Sequence, residues 1–194
     1  LIVNTPKKFM QLTGTKVCTE SEVTAVDPNS KTIVVNNETV AYDKLVIAVG
    51  AEAIIPNIDG VSLDGVFCMR TPQDAIEMRA YLEAHQCRRA VVVGGGFIGL
   101  EAAENLMKKG VSITLIDMAE QLLPNVFDED MADYLRRQLQ AKGMRILNKT
   151  SLQGMKGETR VQSVITSSGT IPADMVILAM GIRPATAFLD NSPL

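Results

Sequence analysis

Val91-Val92-Val93-Gly94-Gly95-Gly96-Phe97-Ile98-Gly99-Leu100-Glu101 is the stretch that decides how this chain folds. Three β-branched residues, which favour a strand, run into glycines spaced G-x-G-x-x-G at Gly94, Gly96 and Gly99. From Phe97 to Lys109, Ile98, Ala102 and Leu106 recur every fourth residue, the period of one helix face. After Gly110 a second apolar run, Val111 to Ile116, ends in Asp117. Strand, glycine turn, helix, strand and terminal acid occur in the order of a dinucleotide-binding βαβ unit. Gly94 permits the tight turn, and Gly96 carries no Cβ to hold a pyrophosphate off the backbone. Gly99 lets the helix pack close to the sheet, and the helix N-terminus offers free N–H groups to phosphate. Gly95 and Ile98 lie in the same loop, and Asp117 is placed to accept both ribose hydroxyls of an adenosine.

Composition narrows the class. The 194-residue chain is 46% hydrophobic and 21% charged, with a net charge of −3, which marks a globular protein rather than a disordered one. The two signs of charge are mixed, so there is no basic patch for nucleic acid. The longest apolar stretch, Met175 to Met180, is far shorter than a membrane span. No signal peptide opens the chain, so a cytoplasmic location is expected. Leu1 is not a start methionine, which points to a piece of a longer protein. Cys18, Cys68 and Cys87 have no C-x-x-C or metal spacing and are expected reduced and partly buried. His85, the single histidine, leaves little from which to build a metal site.

Around the central unit the chain alternates. Thr5-Pro6 opens a short helix to about Leu12, ended by Gly14, and Lys16 to Cys18 is expected as a brief strand. Glu22–Val26, Thr32–Val35 and Thr39–Tyr42 form a β-meander, with turns at Asp27-Pro28-Asn29-Ser30 and Asn36-Asn37. Leu45 to Gly50 is continuously apolar, as in a parallel strand buried on both faces. Val66 to Met69 is a further strand. Thr71-Pro72-Gln73-Asp74 starts a helix reaching about Gln86, and Asp128 caps another that stops before Gly143. Arg145–Leu147, a hairpin over Val161–Thr166 and Thr170-Ile171, and the strand Met175–Met180 complete the pattern. The expectation is an α/β protein: a Rossmann-like domain with a parallel sheet over 72–184, preceded over 1–71 by an incomplete second domain with the meander, and followed by a return segment, 185–194.

Three stretches together resemble the flavin-dependent pyridine nucleotide–disulfide oxidoreductases. Tyr42 to Gly50 resembles the family's second FAD motif, with Val49 for the usual threonine; Gly94 to Glu101 matches its NAD(P)H motif; Met175 to Pro184 matches the strand returning to the flavin domain. Leu122-Leu123-Pro124 with Phe127-Asp128 is similar to the coenzyme A-disulfide reductase and NADH oxidase branch. The family's first FAD glycine motif and its redox cysteine have no counterpart in these 194 residues, and Cys18 and Cys68 match no redox position. The resemblance implies NADH and FAD as cofactors, a disulfide, persulfide or oxygen as acceptor, and a homodimeric full-length protein. It also implies that Phe97 is an aromatic lid over the flavin, that Glu101 lies near flavin and nicotinamide, that Gly181, after the returning strand, is a cofactor-binding residue, and that the backbone at Val23, Ala48 and Gly50 lies along FAD. Met118, Ala119, Glu120 and Gln121 after Asp117 include no cation and a second acid, so NADH is expected over NADPH. These 194 residues by themselves are expected to bind NAD without turnover and the full-length protein to be the enzyme, with a non-catalytic, NAD-binding redox sensor as the alternative.

Overall fold

The computed structural model describes residues 4–190 and 192. Contacts group them into two compact units, one running to Ala51 and resuming at Pro184, the other spanning Glu52–Arg183.

In the first unit, local signals act as their chemistry dictates. Helix α1, Pro6–Thr13, begins where the Thr5 side chain accepts from the Lys8 N–H and ends at Gly14, which takes φ +72°. Strands β1 (Val23–Asp27), β2 (Thr32–Val35) and β3 (Glu38–Ala41) pair antiparallel in that order. The Asp27 carboxylate accepts from the N–H groups of Asn29 and Ser30 and from the Ser30 hydroxyl, forming the first corner. Asn36 and Asn37 both adopt positive φ at the second, as a tight hairpin requires.

Two expectations in this unit fail. Lys16–Cys18 forms no strand, and Cys18 is exposed rather than partly buried. Three residues with no strand beside them among the described residues to take up their N–H and C=O groups gain nothing from extension. Leu45–Gly50 is likewise not a paired strand, and Val46 is 85% exposed. A run apolar on both sides needs sheet neighbours and cover on both faces, and no strand pairs with it among the described residues.

The second unit holds the core. Strands β5 (Val66–Cys68), β6 (Arg89–Val93), β7 (Ser112–Ile116), β8 (Arg145–Leu147) and β12 (Met175–Leu178) form one parallel sheet, ordered β5-β12-β6-β7-β8. Helices α2 (Pro72–His85), α3 (Phe97–Lys108) and α4 (Glu129–Ala141) pack on one face through Met78, Leu82, Ala102, Leu106, Leu135 and Leu139. A three-stranded antiparallel sheet of β9 (Leu152–Lys156), β10 (Ser163–Thr166) and β11 (Gly169–Pro172) covers the other through Met155, Val164 and Ile171. Strand alternation sorts the central residues: Val92, Leu115 and Ile177 face the helices, whereas Val91, Val93, Ile116, Val176 and Leu178 face the small sheet. That double cover is why the central strands read as unbroken apolar runs. Strand β9 was not expected, nor was the ribbon of β4 (Ala51–Ala53) and β13 (Ile182–Pro184). Helix α2 has the expected capping box, Thr71 and Asp74 satisfying each other's backbone N–H. No helix among the described residues is long and apolar enough to cross a membrane.

Candidate dinucleotide-binding site

The loop from β6 into α3 is held open by its own backbone. Gly94 has φ +109°, donates its N–H to Ile116 O at 2.8 Å, and lies so close to β12 that a Cβ would fall 2.2 Å from Ala179 O. A Cβ on Gly99 would fall 2.0 Å from Gly94 O. One on Gly95 would meet Leu122 Cδ2 at 2.7 Å. Gly94 and Gly99 therefore require glycine, since the obstacle is backbone, whereas at Gly95 a Cβ would have to displace the Leu122 side chain. Gly96 differs. Its φ of −77° and ψ of 179° suit any residue, and a Cβ there would meet nothing within 4 Å. Nothing in the fold accounts for a glycine at this point, but a group approaching the backbone from outside does.

Gly96 is also the N-cap of α3, and no side chain caps that end. The first-turn N–H groups of any helix lack partners in the helix, and here they carry the positive end of its dipole outward, a ready site for phosphate. Phe97 and Ile98, in the same turn, are 63% and 46% exposed. The arrangement fits the pyrophosphate of a dinucleotide, with apolar surface beside it for a ring.

Asp117 stands at the end of β7, across the loop. Its Oδ2 accepts from Gly95 N–H and its Oδ1 from Ala119 N–H. An ionised carboxylate has about four lone-pair sites, so two of these bonds leave acceptor capacity for hydroxyls. The backbone of Asp117 is fixed in turn, its N–H bonding to Leu147 O and its C=O to Thr150 N–H. The structure thereby brings Gly94, Gly95, Gly96, Phe97, Ile98, Gly99 and Asp117 into one constellation. Gly181, exposed and at φ +99°, lies two residues beyond Ala179, in the link between β12 and β13. Glu101 is exposed one turn along α3 and lines a groove of about 450 Å³ between α2 and α3, with Met69, Met78, Leu82 and Ile98.

Val23, Ala48 and Gly50 belong to the other unit. Val23 pairs with Val35, Gly50 O accepts from Ala185 N–H, and Ala48 is exposed within the unpaired run. They form no cradle of their own, and the chain has no second G-x-G-x-x-G to supply one.

The four residues after Asp117 carry no cation, as the sequence shows, but the fold brings one to their turn from elsewhere in the chain. Lys149 follows β8, its N–H bonds Ala119 O, and its ammonium pairs with Glu120 at 2.6 Å. That pair holds the Glu120 carboxyl below its usual range, chiefly through the Lys149 hydrogen bond. Far away in sequence, Lys149 was findable only from the register that sets Ile116 against Leu147 in adjacent parallel strands.

The sequence profile described as pyridine nucleotide-disulphide oxidoreductase matches residues 6–194. The chain belongs to this family. It is similar to an NADH oxidase of Methanocaldococcus jannaschii, 35% identical over 189 residues covering 95% of this chain and 42% of the relative. It is equally similar to the NAD(P)H coenzyme A polysulfide/persulfide reductase of Pyrococcus horikoshii, 35% identical over 181 residues, 92% of this chain and 40% of the relative. Among solved structures of the family, the reduced Bacillus anthracis CoADR-RHD superimposes with a TM-score of 0.89 at 31% identity, covering 97% of this chain and 35% of that one. The water-forming NADH oxidase from Lactobacillus brevis, bound to NADH, gives a TM-score of 0.87 at 29% identity, covering 96% and 42%. The chain spans about two fifths of the length of the curated relatives it matches.

Proposed function

We propose that this chain is the NADH-binding part of a flavoprotein oxidoreductase, an enzyme that passes hydride from NADH to FAD and on to a disulfide or persulfide, or to oxygen. The observation that carries the reading is Gly96, a glycine that the fold does not need, at an uncapped helix N-terminus facing open space. In this assignment the amides at the start of α3 bind the pyrophosphate and Asp117 accepts from the adenosine ribose hydroxyls. Phe97 covers the flavin until nicotinamide displaces it, Glu101 lies near both rings, and Gly181 returns the chain to the flavin domain. The nucleotide domain is the second compact unit, Glu52–Arg183, which takes in β5 and so begins earlier than the 72–184 expected from the sequence. The residues on either side of it belong to the flavin domain, with the backbone at Val23, Ala48 and Gly50 along FAD. The bound nicotinamide supplies the hydride; the residues here orient it and keep water from it. The names of the relatives support both acceptor classes.

The same reading makes NADH the preferred coenzyme, because the Asp117 carboxylate repels a 2′-phosphate. An engineered NADPH oxidase among the structural relatives lends support, since its substitutions replace an aspartate with alanine and introduce two arginines. The proposal includes a cytoplasmic location and a homodimer for the full-length protein, the latter checked by sedimentation.

The deciding experiment is anaerobic titration of the full-length protein with NADH, following flavin absorbance, then addition of coenzyme A disulfide, persulfide or oxygen. Bleaching by NADH and recovery with one acceptor is expected. A flavin that stays oxidised while NADH binds would instead make the protein a non-catalytic sensor.

A further inference from the structure

The segment after β8 is sewn to the segment after β7. Asp117 N–H bonds Leu147 O at 3.0 Å, Lys149 N–H bonds Ala119 O at 3.0 Å, and Thr150 N–H bonds Asp117 O at 2.8 Å. The Asn148 amide adds a bond to Ala119 O. These backbone ties hold Lys149 beside the 117–120 turn whatever its side chain does. Lys149 also sits at φ +51°, a left-handed conformation uncommon for a residue other than glycine or asparagine. Its ammonium meets the Glu120 carboxylate, and both side chains are well exposed, at 67% and 80%. Such a pair contributes little to stability. The other charges lining the adjoining 310 Å³ hollow are Glu129, Asp133 and Arg136, and Arg136 is occupied by Asp133 and Gln140. Lys149 is therefore the hollow's cation nearest Asp117 in the hydrogen-bonded network, and Glu120 neutralises it.

We propose that the Glu120–Lys149 pair sets coenzyme choice at this site: Glu120 ties down a cation that the backbone holds beside the turn after Asp117, where it could receive a 2′-phosphate. The proposal rests on the placement of the adenosine ribose at Asp117. The acid at Asp117 then excludes the 2′-phosphate by repulsion, and Glu120 removes the attraction that would offset it. Lysine suits this part, being a point charge on a flexible stem that swings toward a phosphate once released.

The test measures dissociation constants for NADH and NADPH in the full-length protein. Glu120→Gln is expected to raise the affinity for NADPH relative to NADH by roughly tenfold at low salt, since one acid is lost and one cation released near a dianion. The gain should shrink as ionic strength rises. In the double variant Glu120→Gln with Lys149→Ala, most of the gain should disappear. A ratio unchanged by Glu120→Gln, with NADH still bound and still sensitive to Asp117→Ala, overturns the proposal and leaves the site standing. A gain that survives in the double variant overturns the role of Lys149. NADH binding indifferent to Asp117→Ala places the ribose elsewhere, and the proposal falls with the site.

Discussion

Replacing Gly96 by valine separates folding from binding. At φ −77° and ψ 179° the backbone lies in the extended region that valine favours, and a Cβ has open space around it. The N-cap role loses little, because Gly96 caps through no side chain. Stability should therefore move by no more than about 1 kcal/mol in either direction. Gly94→Ala, two residues earlier, combines a forced φ of +109° with a Cβ 2.2 Å from the Ala179 carbonyl oxygen. Backbone strain and overpacking together make that change cost about 3 kcal/mol or more. Binding should respond in the opposite order. A branched side chain at 96 keeps a pyrophosphate off the first-turn amides, and losing two charge-assisted hydrogen bonds at about 1.5–3 kcal/mol each weakens affinity by about a hundredfold or more. Urea midpoints and calorimetric titration with NADH measure the two effects on the same preparations. The reasoning is refuted if Gly96→Val binds NADH as the wild type does, or if it unfolds as readily as Gly94→Ala.

Three further outcomes are expected. Ile177→Ala, at a fully buried position on β12, an interior strand of the sheet, should cost about 2–5 kcal/mol, seen as a lower urea midpoint. Asp174→Asn should cost about 1–2 kcal/mol, because the carboxylate accepts from Arg89 and from the N–H groups of Arg88 and Arg89 while still partly exposed. The Arg89 hydrogen bond holds the Asp174 carboxyl below its ordinary value of 3.8, so its contribution is complete above that value and is lost as pH falls through the lower folded one. The gap between wild type and Asn variant should thus close from roughly pH 5 downward, and a gap that persists under acid counts against this account. Phe97→Gly in the full-length protein should change the rate at which NADH bleaches the flavin with little change at the adenosine end; stopped-flow traces matching the wild type would remove Phe97 from the site.

What could be read from the residues alone was whatever is encoded locally. Thr71, Asp74 and Asp128 cap helices because their side chains reach N–H groups three residues away, and Asn36-Asn37 turns a hairpin because asparagine tolerates positive φ. The βαβ unit was legible for the same reason, its glycines, helix period and acid lying close together in the chain. The failures share one cause. Leu45–Gly50 shows that an apolar run specifies the cover it needs and not whether that cover is at hand. Strand β9, interrupted by Gly154 and without a clear period, exists because β10 pairs with it. Lys149 meets Glu120 only through strand register, and the closeness of Gly94 to Ala179 depends on where β12 enters the sheet.

That entry point has a consequence for how the protein matures. The last strand of the parallel sheet to be synthesised, β12, lies between β5 and β6, near the middle of the layer rather than at an edge. The glycine turn, made much earlier, presses against the carbonyl of Ala179, just past the end of that strand. On the proposed function this ties nucleotide binding to completion of the sheet: a chain halted short of Met175 holds the glycines without the Ala179 carbonyl beside them, a contact distant in sequence and slow to close, and is expected to bind NADH more weakly than the finished one.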